Sequence, residues 1–428
     1  MSTASDRSAA RGRDPRLDFY RGVAMLIILI AHVPFNGWAS WIPARFGFSD
    51  ATEVFVFCSG MASAIAFGRV FDRAGWLLGT ARIALRVWQV YWAHVGIFVL
   101  LLTLMVGLDA ALDGERYVRG LYLHPFFEAP RAAFLGLLTL GYVPNYFDIL
   151  PMYLVILAFV PAVMGLARIG RTAVASWVLG LWTVAGFGLL DLPADPWSER
   201  TWFFNPFSWQ LVFFTGFAFG RGWLVPPALD RRLISIAITV LLLTVPFAWH
   251  QALDLVPTLG QANAALAPLI DKTHLGALRV VHFLALAYLA YAVAGERGRS
   301  LRGAWVELIQ LVGRQSLAVF LTSLVLAQLL GVFLDLAGRE LSTFAVANLT
   351  GFALLAAVAR IVEWYKGEPW RKTTAAPAPV LGGVAPSRGF VTENDSKRRK
   401  SMASASTEWD CCRVSTLTLA RCIPRGTV

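Results

Sequence analysis

The chain has 428 residues, of which 57% are hydrophobic and only 15% charged. A soluble domain carries about 25% charged residues, so the composition excludes an ordinary soluble enzyme and points to an integral membrane protein, with 16 Trp and 29 Phe for interfaces and cavities. The net charge of +11 does not indicate nucleic-acid binding, because no OB, helix-turn-helix or RRM signature accompanies it and much of it lies in short loops between apolar runs, where Arg and Lys set membrane orientation.

Residues 1–16 are polar and basic and lead into a long apolar run with no small-residue cleavage site, so they read as a cytoplasmic lead-in and not as a removed signal peptide. Ten apolar runs follow, at 17–35, 50–68, 84–108, 148–167, 172–190, 207–223, 233–250, 277–294, 305–334 and 343–364. Runs near 20 residues match a hydrocarbon core of about 30 Å. Residues 132–143 are apolar but too short to cross, and read as a re-entrant or interfacial piece. The expected fold is an all-α polytopic bundle of about ten spans occupying residues 17–365.

Placing the N-terminus inside puts Arg69, Arg73, Arg82, Arg86, Arg168, Arg171, Arg221, Arg231 and Arg232 in or beside inner loops. The outer loops are longer, poorer in basic residues for their length, and carry Asp109, Glu115, Glu128, Asp191, Asp195 and Asp254. That asymmetry favours both termini in the cytoplasm. The long outer segments, 109–147 and 251–276, are expected to contribute to a binding site. From residue 366 the chain turns rich in Ala, Pro, Ser, Thr, Lys and Arg, with KRRK at 397–400, and reads as a disordered basic cytoplasmic tail. Of the four cysteines, Cys58 lies in an apolar run and Cys411, Cys412 and Cys422 in the tail. They make neither a disulfide framework nor a zinc-ligand spacing. No metal site is expected.

Titratable groups in lipid-length helices are costly and are functional candidates by default. Arg21 and His32 lie 11 positions apart in the first run. At about 100° and 1.5 Å per residue they share one stripe, roughly 16 Å apart along the axis. Arg21 falls near the cytoplasmic mouth and His32 toward the outer half, with Asp18 placed to pair with Arg21. A cation at the mouth suits the phosphates of an acyl-CoA, and a histidine inward suits a general base acting at its thioester. A lone buried histidine is more often structural; the shared stripe and the following carboxylates tip the reading to catalysis.

Those carboxylates, Asp50 and Glu53, open the second run and share a face. One of them can orient the imidazole and stabilise its charged form, as the acid of a triad does. The competing reading is a helix N-cap and first-turn charge. It weighs equally for Asp50 and less for Glu53, which lies further into apolar sequence.

The spacing Arg21-x10-His32 resembles the signature of the membrane acyltransferase-3 superfamily. RLDFYRG, SDATEVFVFCSG, YFDILPMY at 146–153, WFFNPFSWQLVFFTGFAFG at 202–220, KTHLGALRVVHFLALAY at 272–288 and GRQSLAVF at 313–320 resemble, in that order, the OpgC family. The resemblance covers about residues 14–365. It implies a ten-helix bacterial inner-membrane enzyme that transfers an acyl group, succinyl in the namesake members, from cytoplasmic acyl-CoA to periplasmic glucans. Its other partners would be membrane lipids, and no bound cofactor is required.

The remaining polar residues of these segments carry two readings each. Tyr146 and Asp148, at the outer mouth of a span, suit sugar hydroxyls, although an interfacial Tyr is also an anchor. Asn205, Trp209 and Gln210 form a polar–aromatic cluster at another outer mouth, for a sugar ring or for the aromatic belt. Lys272, Arg279 and His282 surround an outer helix entrance, to hold an acyl carboxylate or to pair with Asp271 or a buried carboxylate. Arg82 and Arg86 suit donor phosphates, although inner-loop bias alone accounts for them. His94, His124, His250 and His274 have no partner pattern and read as structural or loop residues. The rival function is a glycan or lipid transporter or flippase, against which stands the lack of repeat symmetry or paired broken helices. A sensor with a basic tail is a third reading, in which deleting 371–428 would destroy function.

Overall fold

The computed structural model describes residues 14–370. Residues 1–13 and 371–428, which contain the basic tail cluster and the three tail cysteines, lie outside the described residues, as does most of the expected lead-in. Among the described residues the chain is helical, with no strand beyond an isolated bridge between Pro193 and Thr201.

The elements that matter for the site are α1 (Pro15–His32), α2 (Ala51–Ala111), a short run α3 (Arg116–Gly120), α4 (Pro125–Glu128) and α5 (Pro130–Thr139), then α6 (Ile149–Leu166), α7 (Arg171–Gly186) and α8 (Pro206–Arg221). They are followed by α9 (Arg231–Ala248), α10 (His250–Leu255), α11 (Pro257–Ile270), α12 (Ala277–Ala294), α13 (Ala304–Arg314), α14 (Ser316–Ala337) and α15 (Leu341–Lys366).

Six of these, α2, α6, α9, α12, α14 and α15, are long and apolar enough to cross a membrane. The difference from ten runs has identifiable causes. Runs 50–68 and 84–108 join in the single 61-residue α2, which bends at Gly75, where φ is 82°. That is a left-handed conformation open to glycine at no steric cost. Run 305–334 is interrupted at Gln315 and yields the amphipathic 11-residue α13 and the apolar α14. Helices α7 and α8 have 16 residues each, about 24 Å. Helix α1 carries Arg16, Asp18 and Arg21 within its 18 residues. The 251–276 segment is not an open loop but holds α10 and α11. The apolar 132–143 stretch is mostly the short α5.

Caps written in the sequence start the functional helices. Asp14 accepts from the Arg16 N–H and Pro15 opens α1, where its missing N–H costs nothing. Asn205 accepts from the Phe207 and Ser208 N–H groups at the start of α8, and α8 stops at Gly222 with φ 70°.

Close backbone contact builds two helix pairs. A methyl group on Gly60 would sit 1.9 Å from the Phe213 carbonyl oxygen, and one on Gly216 2.1 Å from that of Phe57, so α2 and α8 touch through glycines. Gly22 meets the Ile309 carbonyl and Gly313 that of Asp18 in the same way, joining α1 to α13. Small residues at such crossings let apolar helices gain dispersion contact where water supplies no hydrophobic drive. Phe213, Phe217, Trp209 and Phe98 fill the core, while α9 leaves nearly all of its apolar surface outward.

A buried charge cluster beside a histidine

The N-terminus of α2 assembles the site. Asp50 and Glu53 form a capping box: Asp50 accepts from the Thr52 N–H at 2.7 Å, and Glu53 accepts from the Asp50 N–H at 2.8 Å. This satisfies amides that a helix start leaves open. The other carboxylate oxygens reach across to the segment that begins α12. Lys272 Nζ lies 2.5 Å from Asp50 Oδ2. Arg279 Nε donates to Glu53 Oε1 at 2.7 Å, and Arg279 Nη2 lies 2.6 Å from the same oxygen and 3.6 Å from Asp50. Nη2 is close but off-axis: it is buried and meets no acceptor at a hydrogen-bonding angle. Glu53 is fully buried and Arg279 nearly so, while about a third of the Lys272 side chain is exposed.

These contacts correct the triad expectation. Neither Asp50 nor Glu53 is hydrogen-bonded to His32 among the described residues. Asp50 is both an N-cap and an ion-pair partner, so its two sequence readings coexist, and Glu53 is committed to Arg279. His32 instead packs edge-on against Tyr146, with ring centroids 5.1 Å apart. Its Nδ1 is buried without a hydrogen-bond partner, and the charges felt at its ring are those of Lys272 and Asp50. Tyr146 holds a left-handed backbone, φ 70°, the kind of conformation that a non-glycine residue keeps only where its surroundings over-determine it.

Helix α12 grips the same helix start a second time. His282, one turn beyond Arg279, lies with Nδ1 2.7 Å from Ser49 Oγ and 3.2 Å from the Ser49 N–H that donates to it. From the sequence Ser49 reads only as an alternative N-cap to Asp50 and not as a site residue. Its position beside a capping Asp was the only available signal, and its partner is 233 residues away. Phe203 and Phe204 were also missed as site residues: their rings lie 5.7 and 5.5 Å from Lys272 Nζ, within cation–π range.

The remaining candidates separate into scaffold and periphery. Asn205, Trp209 and Gln210 have almost no exposed surface. Asn205 caps α8, the Trp209 indole donates to the Lys272 carbonyl at 2.9 Å, and Gln210 donates to Val178. None offers a face to a sugar; Trp209 acts by holding the chain at Lys272. Asp148 is half-buried and accepts from the Phe203 N–H at 3.4 Å. Asp18 is buried in α1, with its carbonyl against Gly313, and Arg21 lies three residues further along the same helix. Arg82 is exposed and Arg86 meets only Gln89; no contact among the described residues joins either to the cluster.

The 271–276 segment that carries Lys272 is itself clasped. His274 Nδ1 lies 2.9 Å from Asp271, and Nε2 lies 3.0 Å from Asp191, which also accepts from Asn205. Only an imidazolium donates from both nitrogens. Partial burial pushes the His274 pKa down, but the hydrogen bonds to Asp191 and Asp271 outweigh it and the net direction is up from 6.5. A raised folded value means that the clasp contributes fully below the ordinary imidazole pKa and is lost as pH rises through the elevated one. Amide hydrogen exchange over 271–276 is therefore expected to quicken from mildly acid to mildly alkaline pH, beyond the intrinsic chemical rate. His274→Asn is expected to flatten that dependence, and a dependence unchanged in the variant would contradict the clasp.

In a comparison with protein families, the family described as OpgC protein matches residues 13–367. No curated protein and no solved structure matches the chain.

Proposed function

The chain belongs to the OpgC protein family, an acyltransferase-type family of apolar, membrane-embedded proteins, and from that premise we propose that it carries an acyl group, succinyl by family resemblance, from cytoplasmic acyl-CoA to a hydroxyl of a periplasmic glucan. The protein sits in the bacterial inner membrane, with the shorter helices counted into ten crossings and both termini in the cytoplasm. Residues 1–16 form a lead-in, and 366–428 a basic tail that the reaction does not need.

The observation that carries this reading is the buried Nδ1 of His32, unbonded beside Tyr146 and within the field of the Lys272–Asp50 pair. A general base needs a lone pair that its own protein has not used, within reach of the substrate proton. In the proposed step the glucan hydroxyl oxygen attacks the thioester carbonyl carbon while His32 takes the hydroxyl proton. The tetrahedral intermediate then collapses, the C–S bond breaks, and the CoA thiolate leaves and recovers the proton. Lys272, the partly exposed cation of the cluster, pairs with the free carboxylate of a succinyl group. Asp50, Glu53, Arg279 and His282 hold Lys272 and the α2 start in place.

Purified protein given labelled succinyl-CoA and a glucan is expected to yield glucan heavier by one succinyl group per ester formed, read by mass spectrometry. Glucan left chemically unchanged would overturn the reading and return the transporter alternative.

A further inference from the structure

The other end of the straight first half of α2 holds a polar cavity of about 210 Å³. It lies where α2 approaches its bend at Gly75, between the end of α6 and the end of α8. Asp72, Trp76, Arg168, Arg221 and Trp223 supply its chemistry. Arg221 is paired bidentately to Asp72 at 2.8 and 2.9 Å, and its guanidinium lies 5.8 Å from the Trp223 ring. The Trp76 indole donates to the Pro161 carbonyl at 2.9 Å, which fixes its plane. Arg168 is exposed and its guanidinium meets no carboxylate among the described residues. Asp72 offsets one arginine, so the cavity keeps the charge of the other for an anion.

Its position is informative. Glu53 and Asp72 are 19 residues apart on α2, about 28 Å of helix rise, close to the ~30 Å of a hydrocarbon core. The cavity and the His32 cluster therefore lie near opposite membrane faces. By the arginine asymmetry of the loops, the cavity face is the cytoplasmic one.

We propose that this cavity binds the nucleotide end of the acyl-CoA donor, with Arg168 on its phosphates and an indole of Trp76 or Trp223 against its purine. The assignment rests on the reading of the chain as an acyl-CoA user, and it moves the donor site away from Arg82 and Arg86, which line no part of the cavity. Guanidinium groups bind phosphate bidentately, and two indoles beside them distinguish a purine nucleotide from a phosphate of any other kind. A phospholipid headgroup shares the phosphate but has no ring to stack.

The test uses full-length protein and Arg168→Glu, an exposed position whose loss breaks no described side-chain contact. Wild-type protein is expected to bind ADP, and the variant to bind it roughly tenfold more weakly, the size of one lost charge-assisted contact. The KM for acyl-CoA rises by a similar factor with the glucan KM unchanged. With acyl-pantetheine, which lacks the nucleotide, variant and wild type perform alike. Equal ADP binding by both proteins, or an equal defect with acyl-pantetheine, overturns the proposal. So does a defect that follows the anionic lipid content of the vesicle and not the donor, which would assign the cavity to a headgroup. Wild-type protein that binds ADP through Arg168 yet transfers no acyl group leaves the nucleotide site standing and removes the acyltransferase reading instead.

Discussion

His32→Ala is expected to lower the turnover of acyl transfer by about 10²–10⁴-fold, the usual contribution of a positioned general base. The KM for acyl-CoA should change little, because the imidazole acts on the acceptor proton. The change should also leave the protein intact. Nδ1 has no hydrogen bond to lose, and the ring contact with Tyr146 is one edge-on pair of the kind worth about 0.5–1.5 kcal/mol. Membrane insertion and thermal unfolding in detergent are the controls. His32→Gln, which keeps polarity and some volume but cannot act as a base near neutral pH, should be as inactive as the alanine variant. Acylation persisting in either variant would remove His32 from the mechanism.

The second large effect concerns stability. Arg279→Leu removes the cation from a carboxylate that has no access to water. A buried ion whose partner is deleted costs about 3–5 kcal/mol, and Glu53 also holds the N-cap amide of α2. The variant is expected to unfold well below the wild type in a detergent melt. Glu53→Gln combined with Arg279→Leu should recover much of that loss, because a glutamine keeps an acceptor for the Asp50 amide while carrying no charge. Both proteins should transfer acyl groups poorly, since α12 then holds the α2 N-terminus through His282 alone. A double variant no more stable than Arg279→Leu alone would show that the loss is one of packing and not of an unpaired charge.

The sequence announced the local devices and concealed the long-range ones. Helicity, the apolar runs and the N-cap at Asp50 follow from neighbours within four positions and were legible, whereas Asn205, read for a sugar ring or the aromatic belt, is a helix cap. The segments that carry His32 and Tyr146 meet in the fold, as do those that carry Asp50 and Lys272. The pairing was misread, because proximity in sequence made Asp50 and Glu53 look like partners of His32. Their cations come from α12 and the turn before it, more than 220 residues further on, and sequence spacing carries no information about which distant helix closes on a given face. Trp209 and Gln210 failed for a related reason. Exposure depends on what packs against α8: the Lys272 backbone meets the Trp209 indole and Val178 of α7 meets the Gln210 amide, and neither is near them in sequence. The break at Gln315 was hidden by a run of apolar residues that reads as one span, though its first part faces α1 through Gly313 as an amphipathic helix.

In the proposed reaction the acyl donor and the acceptor sit on opposite sides of one membrane and meet through the α1–α2 region. The most direct measurement places the protein in sealed vesicles with labelled acyl-CoA on one side only and glucan on the other. In vesicles oriented with the Arg168 face toward the donor, labelled glucan should accumulate on the far side, and His32→Ala vesicles should produce none. Label appearing only when donor and glucan share a compartment would contradict the account.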